Sequence, residues 1–265
     1  MYYAPFLALK YLRYYLLASN GKGHGTHSPF IYNFITRVLN DKSQYTEYKK
    51  AEGLRRRLLN DSRMFIIEDF GAGSAVLKRH ERSIKSIARN AAKSKKFGQL
   101  LFRMVKYYQP TTILELGTSL GITTSYLSLA NPVSKIVTME GAKEIAEIAK
   151  LNFRQLAINN VELIEGNFDN TLPHVLDSTS PVDFAFIDGN HRRIPTENYF
   201  QMLLPHLHNE SILVFDDIHW SKGMEKAWET IKTHPEVRCT IDLFFIGIVV
   251  FRKEFREKQH FAIRF

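Results

Sequence analysis

Cysteine is almost missing from this 265-residue chain: Cys239 is its one thiol. One thiol closes no internal disulfide. That excludes a disulfide-stapled scaffold and points to a reducing, cytoplasmic setting. Cys239 lies among Val237, Ile241 and Leu243 and reads as a core residue, not a nucleophile. A long hydrophobic run is also lacking. The nearest approach is the first 17 residues, with Tyr2, Tyr3, Phe6, Leu7, Leu9, Tyr11, Leu12, Tyr14, Tyr15, Leu16 and Leu17. Lys10 and Arg13 interrupt it, it is too short to span a bilayer, and no small-residue cleavage site follows. It reads as a packed amphipathic helix, with a membrane-surface helix as the alternative. No transmembrane segment, internal repeat or low-complexity stretch is expected.

Acidic residues are scarce in one half only. Residues 1–110 hold 21 Lys and Arg against 7 Asp and Glu; the remainder holds 15 against 20. A basic N-terminal part of net charge +14 can attract anionic partners, nucleic acid among them. The plainer reading is a set of solvated helical faces, to which Arg55-Arg56-Arg57 belongs.

The pattern changes near residue 93. The first part, 1–92, reads as a mainly helical extension or lid. Asn20-Gly21-Lys22-Gly23-His24-Gly25 is a break, and His24, His27 and Ser28 form a loop able to close over a ligand. Ser28 and Pro29 read as N-cap and first helical residue of a helix to about residue 40. A helix over 44–59, a short strand at 64–67, and helices over 80–92 and 95–108 follow. The Gly71-Ala72-Gly73 loop reads as a turn, because no strand–helix unit continues from it. The second part, 93–265, alternates. Strands are expected at 113–116, 135–139, 161–164, 184–187, 212–215, 237–241 and 246–251. Helices over 121–130, 142–158, 168–176, 195–206 and 221–233 separate the first six. Five strand–helix units predict parallel strands with right-handed crossovers. The last link is too short for a crossover, so the final pair is antiparallel.

Chemistry-bearing residues fall at the strand ends. Glu115-Leu116-Gly117-Thr118-Ser119-Leu120-Gly121 closes the first alternating strand and opens a helix. Its Gly-x-x-x-Gly spacing is neither the dinucleotide Gly-x-Gly-x-x-Gly nor a phosphate-binding Gly-Lys-Ser/Thr loop, so hydride transfer is disfavoured. Gly117 permits close backbone approach, Gly121 tight helix packing, and Thr118 and Ser119 can hydrogen-bond a carboxylate at the helix start. Glu140-Gly141 ends the next strand, where a carboxylate can accept from ribose hydroxyls. Asn167 and Phe168 follow the third, placed to read an adenine edge and face. The fourth ends at Asp188-Gly189-Asn190-His191 and the fifth at Asp216-Asp217-Ile218-His219.

Together these resemble the class I S-adenosylmethionine-dependent methyltransferases, nearest to the catechol-type small-molecule O-methyltransferase branch, over about residues 95–265. The resemblance implies a Rossmann-like, doubly wound, seven-stranded, mostly parallel α/β sheet with an antiparallel last strand. It implies S-adenosylmethionine held by Glu115, Gly117, Thr118, Ser119, Gly121, Glu140, Gly141, Asn167, Phe168, Asp188 and Gly189. It also implies Mg²⁺ or Mn²⁺ on Asp188, Asp216 and Asp217, although Asp217 stands where the branch has Asn. His191 takes the place of the branch's lysine base, and a histidine suits proton removal near neutral pH. Asp188 is the second catalytic candidate, and His219 an alternative base. The expected enzyme methylates a small-molecule hydroxyl; its oligomeric state is open. Two other readings stand beside it. One is an RNA methyltransferase using the basic N-terminal part, although no Asn/Asp-Pro-Pro-aromatic tetrapeptide follows the fourth strand. The other is a non-catalytic S-adenosylmethionine-binding scaffold.

Overall fold

In a computed structural model, residues 1–19, 21, 28–69, 78–90, 93–179 and 181–265 are described, and side chains are described for these except 67–69 and 78–80. The His24–His27 loop and the Gly71–Gly73 turn therefore lie outside the described residues. The elements run α1 (Ala4–Leu17), α2 (Pro29–Asn33), α3 (Glu47–Leu59), β1 (Met64–Asp69), β2 (Lys78–Ser83), α4 (Ile84–Asn90), α5 (Lys95–Tyr108), β3 (Thr112–Leu116), α6 (Ile122–Ala130), β4 (Lys135–Glu140), α7 (Lys143–Gln155), β5 (Val161–Glu165), α8 (Phe168–Thr179), β6 (Phe184–Ile187), α9 (Arg193–Leu203), β7 (Ile212–Asp216), α10 (Lys222–Thr233), β8 (Cys239–Asp242), β9 (Ile246–Val250) and β10 (Gln259–Ala262). The chain divides into two compact units, one of residues 1–40 with 178–265 and one of residues 41–177. The main sheet has eight strands.

The second unit contributes β3, β4 and β5, in that order and parallel. β3 and β4 are buried along most of their length, with Ile, Leu, Val and Met beside buried Glu115 and Thr138, as expected of parallel strands covered on both faces. α7 lays Ala149 and Phe153 against Ile158, and Val161 and Leu163 of β5 pack on that cluster. β1 and β2 form a separate antiparallel hairpin in register from Met64↔Ser83 to Asp69↔Lys78. This corrects the expected helix over 80–92. The polar Lys78–Ser83 segment pairs along the whole of β1, and helix begins only at Ile84. Cross-strand hydrogen bonding overrides a sequence with little strand propensity of its own.

The first unit contributes five strands ordered β10-β8-β9-β7-β6. β6 and β7 are parallel, and β9 is antiparallel to both β7 and β8, as expected. Gly247 of β9 leaves room for Trp228 of α10: a Cβ there would come within 2.6 Å of the indole ring. The eighth strand, β10, was not expected; it pairs parallel with β8 at the sheet edge. Ser19 bridges Ile263 just beyond it. The predicted cap is present, with the Ser28 hydroxyl accepting from the Ile31 amide at 3.4 Å. The helix it starts continues from residue 34 as a π-helical turn, Phe34–Leu39. Cys239 is buried, and desolvation pushes its thiol up to about 12, which fits the core reading.

The N-terminal helix α1 departs most from expectation. No residue of Ala4–Leu17 is fully buried. One face is tied down: the Tyr2 hydroxyl and Lys10 donate to Glu225, each at 2.7 Å, the Tyr14 hydroxyl donates to the Ile263 carbonyl, and Tyr11 packs edge-on to Phe244. The other face is open and apolar.

Candidate active site

In the second unit the loop after β3 wraps the end of β4. The Gly117 and Thr118 amides both donate to the Met139 carbonyl at 3.0 Å. Gly117 and Gly121 take φ of 106° and 78°, and a Cβ on Gly121 would meet the Phe153 ring at 2.5 Å. Both glycines are thus required by backbone conformation, and Gly121 also by packing. Glu140 clamps this turn to the next: one carboxylate oxygen accepts from the Ser119 amide at 2.8 Å, the other from the Ala142 amide at 3.0 Å.

Glu115 is fully buried. One of its oxygens accepts from the hydroxyls of Thr124 at 2.5 Å and Thr138 at 2.6 Å; the other has no hydrogen-bond partner among the described residues. Desolvation raises its carboxyl to about 7 against the pull of the two hydroxyls, and the Glu140 charge adds to the rise. Thr118 is buried with its hydroxyl 2.6 Å from that of Thr138, which leaves Ser119 as the more accessible hydroxyl of the turn. After β5, Gly166 takes φ of 135°, where a Cβ would come within 2.8 Å of the Thr171 methyl. The Asn167 side chain accepts from the Asp169 amide at 2.9 Å and starts α8, with half-buried Phe168 beside it and Gly141 in the preceding turn. Thr124, Thr138 and Gly166 were not singled out from sequence. Gly166 alone left a signal there, as a glycine between a strand end and a helix start.

In the first unit, Asp188 follows β6 and Asp216 ends β7. Asp188, His191 and Asp216 each offer one ligand-type atom within 4.8 Å of the others, and Asp216 is buried. His191 Nε2 lies 3.4 Å from Asp188 and Nδ1 lies 3.9 Å from Asp217. Of the expected ion ligands, Asp217 thus stands beside the imidazole, and His191 enters the three-residue group. Three non-glycine residues here have positive φ: Asn190 (69°), His191 (27°) and Asp217 (53°). Asn, Asp and His are the non-glycine residues found most often in that region, and residues held there gather at functional sites. The two neighbours of His191 in this group are held by local bonds. The Asn190 side-chain Nδ2 donates to the Tyr199 hydroxyl at 3.0 Å, and the Asp217 backbone amide donates to the Phe245 carbonyl at 2.7 Å. His219 has both ring nitrogens against carboxylates, Asp242 at 2.8 Å and Glu225 at 3.2 Å. Burial would lower its pKa, but the two acids outweigh that and raise it.

Residues 114–218 match the model of a family described as a methyltransferase domain. A catechol O-methyltransferase of Mycobacterium tuberculosis is 28% identical over 123 residues, which is 46% of this chain and 54% of that protein. Another from Niastella koreensis is 29% identical over 124 residues, 46% of this chain and 55% of that one. The chain thus spans about half the length of the curated relatives it matches. A methyltransferase of Podospora anserina, solved with S-adenosylhomocysteine, superposes with a TM-score of 0.60 at 14% identity, covering 95% of this chain and 98% of its own. The fold is that of the class I methyltransferases. An O-methyltransferase of Bacillus cereus shares this methyltransferase fold at a TM-score of 0.56 and 19% identity, over 79% of this chain and 92% of that one. No helix among the described residues is long and apolar enough to cross a membrane.

Proposed function

We propose that the chain transfers the methyl group of S-adenosylmethionine to a hydroxyl of a small molecule, and that His191 removes the hydroxyl proton. The observation that carries this is the Asp188–His191–Asp216 group, a proton acceptor and two acids on strand ends of a methyltransferase fold. In the other unit, the unpartnered oxygen of Glu115 is an acceptor that a bound donor would satisfy. The glycines of the 117–121 turn permit close approach, the Ser119 hydroxyl suits the methionine carboxylate, Glu140 the ribose, and Asn167 with Phe168 the adenine. When bound, S-adenosylmethionine supplies a sulfonium methyl. The chain's part is then to align the acceptor oxygen and take its proton at His191, where Asp188 and Asp217 face the resulting imidazolium.

The same three residues support a second reading, in which they hold a divalent cation. An imidazole nitrogen with two carboxylate oxygens suits Mn²⁺ better than Mg²⁺, which prefers all-oxygen sites. A bound cation would supply Lewis acidity toward the acceptor oxygen, and His191 would then be a ligand and not the base. For a nucleic-acid acceptor the supporting feature is a cleft of about 650 Å³ lined by Arg55, Lys85, Arg89 and Lys95.

Calorimetry with S-adenosylhomocysteine tests the cofactor: no heat would defeat the proposal. Methyl transfer to phenols with and without chelator then separates the roles of His191. Activity that survives chelator and disappears in His191→Ala identifies the base. Dependence on Mn²⁺, with Mn²⁺ binding lost in the same variant, identifies a ligand.

A further inference from the structure

Sixteen large apolar side chains are exposed among the described residues, and eight of them lie in the first 17: Met1, Tyr3, Phe6, Leu9, Leu12, Tyr15, Leu16 and Leu17. Scattered exposed leucines need no explanation, but half of the exposed apolar side chains on one short segment do. The helix cannot turn this face inward. Its opposite side is held by the Glu225 bonds of Tyr2 and Lys10, by the Tyr14 bond to Ile263 and by Tyr11 on Phe244. α1 is therefore apolar on two sides, one covered by the fold and one open.

The charge pattern says what fits the open side. Residues 1–40 contain four Lys and Arg and no Asp or Glu. Lys10 is committed to Glu225, and Arg13 is exposed beside Leu12 and Leu16. A second copy would bring the same acid-free helix against this face, and Arg13 would meet no opposite charge. A phosphate-bearing lipid surface meets both demands, taking leucine side chains below the headgroups and arginine and tyrosine among them. Fourteen residues are too few to cross a bilayer, so the helix must lie in its surface.

We infer that α1 is a docking face for an anionic membrane surface, on which the protein binds peripherally. The test is co-sedimentation of the full chain with vesicles of phosphatidylcholine alone, or of two parts phosphatidylcholine to one part phosphatidylglycerol. Binding to the anionic vesicles, weakened by salt and near background on phosphatidylcholine, is expected. Leu12→Glu with Leu16→Glu should weaken it at least about tenfold, and Arg13→Glu several-fold, with circular dichroism and melting temperature unchanged. No binding to anionic vesicles at low salt overturns the inference, as does equal binding by the double variant. A dimer in light scattering that the double variant converts to monomer also overturns it, because a second copy would then cover the face.

Discussion

Glu115 and Asp216 sit at matching depth, each buried near the carboxyl end of a strand, but their surroundings differ. Around Glu115 are threonine hydroxyls: Thr124 and Thr138 share one of its oxygens. Around Asp216 are groups that bind protons or cations, Asp188 and His191. Glu115 is a wall residue, and burial shifts it toward its neutral form against the pull of its two hydroxyls. Asp216, grouped with an imidazole and a second acid, belongs to the centre proposed for the reaction. Burial is shared; the neighbours differ.

The largest effect is expected at Asp216. Asp216→Ala should lower methyl transfer by about 10³-fold, or about 4 kcal/mol of barrier. Its affinity for S-adenosylhomocysteine should stay within a few-fold by calorimetry. Equal loss of product binding and of melting temperature would make Asp216 a wall residue like Glu115, and the distinction would collapse.

Strand-end positions such as these were legible because hydrophobic runs alternating with amphipathic helices fix where each parallel strand stops. Glu115, Glu140, Asp188 and Asp216 follow from that alone. Side-chain partners were not legible. Nothing in the spacing of Thr124 and Thr138 announces that both hydroxyls meet on Glu115, because the pairing depends on strand register and helix rotation. Edge elements were lost for a related reason. β2 and β10 are short and polar, and exist through pairing with β1 and β8. α1 was legible as a helix, but a pattern broken only at Lys10 and Arg13 cannot show which side the fold covers.

Glu115 gives the next effect. Its carboxyl is raised from 4.5 to about 7, so the native state binds the proton more tightly than the unfolded chain. The stabilisation is fully present below pH 4.5 and is lost as pH rises through about 7, up to about 3 kcal/mol in all. Glu115→Gln keeps an oxygen for the two threonines and removes the titration. Denaturant unfolding at pH 5 and pH 8 should therefore show the variant gaining on the parent by about 2–3 kcal/mol between the two conditions. A constant difference would mean that Glu115 is ionised throughout and resembles an active-site acid more than a wall.

The smallest effect is expected at Glu140. Glu140 differs from Glu115 in spending its oxygens on backbone amides of two turns, Ser119 and Ala142. Glu140→Ala removes the clamp and the proposed ribose acceptor together, and should weaken S-adenosylhomocysteine binding about tenfold, or about 1.4 kcal/mol. Adenosine and methionine, titrated separately, divide the two contributions. A ribose contact predicts that adenosine binding falls while methionine binding holds. If both fall equally, Glu140 acts only by shaping the turn, and it belongs with Glu115 among the residues that build the wall.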